Sequence, residues 1–193
     1  MEAFEQFVAL AMESEGLVVS EALKFPVTIR TSKTAYPEYQ THGFEVDLVG
    51  ARADRLVLAT VKSFFGSRGV VAAHVRGDSA DKVWNAKYAV INNPVVRDGV
   101  VSGAASRFGY PIELVELRLY VGKFAGAAHE AAVREWCAQQ ILGVGPVAVI
   151  GSREVVEAVR AVASSKTYRD NAVLASLKLL DAAGALRPIE PPT

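Results

Sequence analysis

The sequence predicts an α/β architecture, a central sheet flanked by helices, and three observations lead there. Strand-like and helix-like segments alternate along the chain rather than separating into blocks. The strand-like segments, among them "FEVDLVG", "LVLATV", "IELVELRLYVG" and "GPVAVIG", are short apolar runs rich in Val, Ile and Leu. The chain is 193 residues long, 51% hydrophobic and 22% charged, enough for one substantial core or a core with a small appended unit.

Phe4, Phe7, Val8, Ala11 and Met12 recur at helical spacing, which predicts an amphipathic helix over roughly 2–15 ended by Gly16. "LVVSEAL" and "FPVTIRT" follow as two strand-like segments, and "SKTAYPEYQTHG", with Pro37 and Gly43, reads as a loop. The stretch "GFEVDLVGARADRLVLATVKSFF" is a hairpin with "ARADR" as its connection. "GSRG" is a turn, "VVAAHV" a strand candidate, and "DSADKVWNAKYAVI" a helix opening at Ser79. "NNPVVRDGVVSGAASRFG" predicts a helix capped by Asn93, with Pro94 first and Gly109 at its stop. A strand at "IELVELRLYVG", a helix at "AAHEAAVREWCAQQIL" and a strand at "GPVAVIG" come next. Two helices close the chain, the first capped by Ser152, the second opened by "RDN" and stopped near Gly184, before a proline-rich tail. The expected organisation is an α/β core at 1–126, a helical and α/β extension packed on it at 127–187, and a tail at 188–193.

A formal net charge of zero gives no whole-molecule field that advertises a polyanion or a membrane. The acidic, amphipathic N-terminus is unlike a signal peptide, and no apolar run approaches a membrane span, so a cytoplasmic location is expected. Cys137 has no second cysteine to pair with and reads as a buried structural thiol. His42, His74 and His129 lack metal-site spacing, and no phosphate loop, CxxC, HExxH or nucleophile elbow is present.

The hairpin carries charge that packing alone would not select. With a turn about its middle, Asp47 pairs with Leu58 and Glu45 with Thr60, so Glu45, Asp47, Thr60 and Lys62 share one face. Phe44, Val46, Leu48, Val57, Ala59 and Val61 then form the core face. Two carboxylates beside an ammonium on rigid strands suit a hard cation. Judged from spacing alone, a solvated antiparallel sheet face is the simpler account of the same pattern.

These residues resemble the PD-(D/E)XK nuclease superfamily, the fold of restriction endonucleases, Holliday-junction resolvases and RecB-type nucleases. "FEQFVALAMESEGLVV" is similar to the family's first helix, with Glu5 at its glutamate; "FEVDLVG" supplies Asp47 and "LVLATVKSF" supplies Lys62. The resemblance covers about the first 65 residues. It implies a restriction-endonuclease-like mixed sheet and Mg²⁺- or Mn²⁺-dependent hydrolysis of nucleic-acid phosphodiester bonds, with DNA the expected partner. Asp47, Glu45 and the Val61 carbonyl would hold the ion, Lys62 would position the water, and Glu5 would act directly or through a bound water.

One position departs from the pattern: the acid before x-Lys is Thr60, and a hydroxyl is a poor ligand for a hard divalent cation. Three readings follow: Glu45 takes over the acid's role, or the fold is a catalytically inactive module that binds nucleic acid or a protein, or the likeness is only fold-deep. Arg68, Arg52 and Lys33 are the candidate phosphate contacts. Trp84 and Tyr88 read as core packing, and the last two helices as packing helices or a dimer surface. Tyr168, Arg169 and Asn171 give those helices a helix–turn–helix flavour, and a homodimer through an exposed sheet face is a further candidate.

Overall fold

A computed structural model describes residues 2–30, 38–165 and 171–186. Lys33, Tyr168, Arg169 and the expected tail at 188–193 lie outside these. The chain opens with α1 (Ala3–Ser14), followed by the long strands β1 (Val18–Arg30) and β2 (Tyr39–Arg52) and by β3 (Arg55–Lys62). Helices α2 (Ala72–Arg76), α3 (Lys82–Ala86), α4 (Ala89–Asn92) and α5 (Pro94–Phe108) lead to β4 (Val115–Val121). Then come α6 (Ala127–Ala138), a small hairpin of β5 (Ile141–Leu142) and β6 (Gly145–Pro146), β7 (Ala148–Gly151), α7 (Ser152–Ser164) and α8 (Ala172–Ala182).

The sheet runs β1-β2-β3-β4-β7, antiparallel through β3 and parallel from β3 to β7, so the fold is the expected mixed sheet between helices. Helix punctuation follows local chemistry. The Asn93 side chain accepts from the Val95 and Val96 amides, Pro94 opens α5, and Gly109 closes it in the left-handed region at φ +73. Asp81 and Asn171 cap α3 and α8 in the same way.

The structure changes several expectations. "VVAAHV" contains helix α2, and the helix expected from Ser79 is split into α3 and α4. Gly151 rather than Ser152 is the N-cap of α7, with the Glu154 carboxylate accepting from its amide at 2.6 Å. The hairpin pairs Leu48 with Ala59 and Val49 with Leu58, two residues away from the expected register. A slip of two preserves the alternation of sides, whereas a slip of one would have reversed it.

The solvated sheet face is not there. Leu56, Leu58 and Ala59 are fully buried and Thr60 is 5% exposed. Leu56, Leu58, Leu117 and Leu119 pack against α2, α4, α5 and α6, while Val57, Ala59, Val61 and Tyr120 pack against α1, α7 and α8. A strand with parallel neighbours is covered on both sides, and so "LVLATV" reads as a continuous apolar run. The central strands therefore leave no open face for a dimer.

The β1–β2 ribbon reverses its faces partway along. Leu17, Val19 and Leu48 belong to the α1 side, whereas Leu23, Phe25, Val27, Val46 and Phe44, in step with them, belong to the other. The break falls at Ala22, in the left-handed region at φ +51, and at Asp47 opposite it. An alanine there costs on the order of 1 kcal/mol, which the packing of both halves offsets. The outer half of the ribbon folds onto α5, where a Cβ at Gly99 would lie 2.7 Å from Val27 Cγ1.

Arg118 of β4 joins the sheet to α1. It is 6% exposed and forks onto Glu15 (2.6 and 2.9 Å) and Glu116 (2.8 and 3.0 Å), and it also donates to the Tyr120 hydroxyl. Burial works against its charge, but the hydrogen bonds it donates to the two carboxylates outweigh that and hold its pKa above the ordinary value. Removing the guanidinium leaves Glu15 and Glu116 with only the more distant Arg55, at 4.0 and 3.8 Å, and a buried hydroxyl without its partner. Arg118→Ala is expected to lower stability by about 3–5 kcal/mol in urea denaturation; a loss under about 1 kcal/mol would show the network to be dispensable.

Candidate active site

At the C-terminal end of β3 the chain leaves an open cleft of about 680 Å³. Its lining includes Glu2 and Glu5 from the start of α1, Asp47 from β2, Val61 and Lys62 from β3, the Ser63–Ser67 strap, and Lys87. Four residues singled out from the sequence thus meet there: Glu5, Asp47, Val61 and Lys62.

Asp47 is the organising group. The β2–β3 pairing ends at Leu48 and Ala59, so β2 is already leaving β3 when it reaches Asp47. The Val61 amide on that side donates to Asp47 Oδ2 at 2.6 Å instead of to a strand carbonyl. Lys62 Nζ lies 3.6 Å from the same oxygen and donates to the Val61 carbonyl at 3.1 Å. Both of these Asp47 contacts fall on Oδ2, and no hydrogen bond to Oδ1 forms among the described residues. The side chains of Asp47 and Lys62 are 19% and 16% exposed, close enough to water for a ligand to reach and dry enough for the charges to be felt.

The α1 side is held by its own first turn. Glu5 Oε2 accepts from the Glu2 amide at 2.9 Å, which fixes that carboxylate at the helix start. Ser63 donates to Glu2 Oε2 at 3.0 Å, tying the helix start to the strap that follows Lys62. Carboxylates at a helix N-terminus also complement its partial positive charge.

Other candidates lie elsewhere. Glu45 is 46% exposed, faces Lys24 at 3.7 Å and does not line the cleft. Thr60 is buried on the Leu56–Leu58 side and does not line it either. Arg52, in β2, pairs with Arg55 at the other end of β3, and Arg55 is seven residues from Lys62, about 23 Å at the rise of an extended strand. The Arg52 guanidinium is committed to Asp54 and the Glu15 carbonyl. Arg68 is exposed in the loop directly after the strap. Cys137 is fully buried, and burial pushes its thiol up to about 12, so it supplies no nucleophile.

Glu2 and the residues of the Ser63–Ser67 strap line the cleft without having been singled out from the sequence. An acidic residue just ahead of an apolar helix is a helix-start signal that finds Glu2. Lys87 Nζ sits 3.8 Å over the Trp84 ring, and Trp84 stacks on His74 at 5.4 Å. That arrangement holds a cation at the cleft rim, and Trp84 is only partly buried rather than a core residue.

No family model matches the chain, and comparison with curated proteins gives no match. No helix among the described residues is long and apolar enough to cross a membrane.

Asp47 has a structural role that is measurable without any ligand. A hydrogen bond to a charged acceptor contributes about 1.5–3 kcal/mol, and Asp47→Ala leaves the Val61 amide without its acceptor. A stability loss of that size is expected by denaturant titration, and a loss of a few tenths would show that water replaces the carboxylate freely.

Proposed function

We propose that this chain is a metal-dependent, nuclease-like protein that hydrolyses nucleic-acid phosphodiester bonds, with DNA as its polymer. The observation that carries this is the meeting of Glu5, Asp47, Val61 and Lys62, 57 residues apart at the extremes (62 minus 5), in one open cleft. Charge supports it further. Three carboxylates (Glu2, Glu5, Asp47) face two ammonium groups (Lys62, Lys87), a balance of minus one that repels a phosphodiester unless a cation joins it.

The donors suit Mg²⁺ or Mn²⁺. They are all oxygens: the uncommitted Oδ1 of Asp47, the Val61 carbonyl, and the α1 carboxylates. Among the described residues no three acidic, His or Cys side chains gather into a complete cage. Mg²⁺ does not require one, since it keeps several waters and uses one or two carboxylates together with substrate phosphate. Asp47 and Val61 would hold the ion, with Glu5 assisting from α1. When bound, the ion offsets the cleft's negative charge and polarises the scissile phosphate. Lys62, fixed against the Val61 carbonyl and Asp47, directs its remaining protons at the attacking water and its charge at the phosphate. Asp47 keeps that ammonium oriented, and Lys87 contributes a second cation at the rim.

A second reading has its own observation. Lys62 already places a cation against Asp47 Oδ2 and the Val61 carbonyl, and the family acid is a buried threonine. On that reading the chain is a catalytically inactive nuclease-fold module that binds nucleic acid or a protein partner.

Calorimetric titration with Mg²⁺ and Mn²⁺, followed by cleavage of labelled DNA, separates the two. Metal binding that Asp47→Ala abolishes and Lys62→Met retains is expected. Lys62→Met should slow cleavage about 10²–10⁴-fold, the range for loss of a group that handles the attacking proton. Absence of metal binding at millimolar concentrations sinks the hydrolytic reading and leaves the inactive module.

A further inference from the structure

Two phenylalanines follow directly on Ser63, and the backbone separates them. Phe64 sits at φ +45, a left-handed conformation that a bulky side chain rarely adopts. Its ring packs against the core and meets Trp84 edge-on at 5.6 Å. Phe65 is turned the other way and is 57% exposed, with its ring edge-on to the buried Phe4 at 5.4 Å. The strap also lies tightly on the end of β4. A Cβ at Gly122 would come 2.7 Å from Phe65 Cζ and 2.5 Å from the Ser63 carbonyl.

That placement is informative because Gly122 lines a second cleft, also of about 680 Å³, whose wall includes Lys123. Phe65 itself lines the Asp47–Lys62 cleft. Its ring therefore stands on the ridge between two clefts at the C-terminal ends of adjacent parallel strands. Lys123 Nζ is 2.8 Å from the Ser67 carbonyl, which holds a cation beside that ridge. An exposed ring alone means little. This ring follows a residue with a strained backbone, Phe64, rests against a buried ring, and lies between a cleft lined by Lys62 and a cleft lined by Lys123.

We propose that Phe65 is a stacking platform for an unpaired base, and that the substrate of the cleft is a single-stranded segment of nucleic acid. A base in a duplex has both faces covered, whereas a single strand can lay one on a projecting ring with its phosphates to either side. Lys62 takes the phosphodiester at the cleft, Phe65 the neighbouring base, and Lys123 the phosphate beyond it. The inference rests on the phosphodiester reading of the Asp47–Lys62 cleft.

The test is fluorescence anisotropy with a short fluorescein-labelled single strand, in deoxy and ribo forms, and the matching duplex, with Mg²⁺ and with EDTA. The full chain is compared with Phe65→Ala, Phe65→Leu, Phe65→Tyr and Asp47→Ala. The single strand is expected to bind more tightly than the duplex. Phe65→Ala and Phe65→Leu should each weaken single-strand binding about tenfold, leave duplex binding unchanged, and be rescued by Phe65→Tyr. Phe65→Leu keeps an apolar contact with Phe4, so its equality with Phe65→Ala and contrast with Phe65→Tyr separate stacking from folding. Single-strand affinity that ignores all Phe65 variants, yet falls with Asp47→Ala or EDTA, overturns the platform and leaves the phosphodiester reading intact. Failure of every oligonucleotide to bind overturns both.

Discussion

The site depends on one backbone amide that loses its strand partner. Where β2 departs from β3, the Val61 N–H would face a gap, and a buried amide without an acceptor is costly. The Asp47 carboxylate fills that place at 2.6 Å. This single substitution of side chain for backbone fixes the carboxylate's position and assigns one of its oxygens. It also puts a negative charge where Lys62 can fold back onto it. The reversal of the β1–β2 ribbon at Ala22 and Asp47 belongs to the same event. A strand pair that flips its faces must give up a regular ladder locally, and the polar group supplied at the break is the one available for chemistry.

The acids of α1 reach this point because the helix is pinned at both ends. Its C-terminal side is held by Arg118 through Glu15, and its N-terminal side by Ser63 through Glu2. Twelve helical residues span about 18 Å, so the buried ion network at mid-sheet sets where Glu2 and Glu5 stand at the cleft. Stability and site geometry are thus coupled through a rigid rod rather than through direct contact.

Much of the fold was legible because periodicity and capping are local. Asn93-Pro94 and Gly109 bounded α5 correctly, and the apolar runs located β3, β4 and β7. Long-range facts were not legible in that way. The hairpin register shifted by two because a two-residue turn at Ala53 and Asp54 was tighter than "ARADR" suggested. The burial of both faces of β3 depends on β4, and no residue of the hairpin announces its parallel neighbour. The Phe44–Val46 side changed clusters because of a left-handed alanine, a conformation without a sequence signal. For the cleft, alternation along the hairpin reached Asp47 and Lys62 together with Glu45 and Thr60, which do not line it; Glu5 and Val61 were reached only through the resemblance of the first 65 residues, and the place of Lys87 needed the tertiary stack on Trp84.

Thr60 then has a physical account of its own. It continues the Leu56–Leu58 side of β3, packed against helices, and is 5% exposed. A carboxylate there would be desolvated and would rely on a permanently bound cation to offset the cost. A β-branched hydroxyl residue suits a buried strand without that dependence. The arrangement removes an obligatory charge from the interior and leaves the acids at the rim, on Asp47, Glu2 and Glu5, where water can solvate them. On the metal-dependent reading proposed above, a cation held at such a rim would be exchangeable rather than structural.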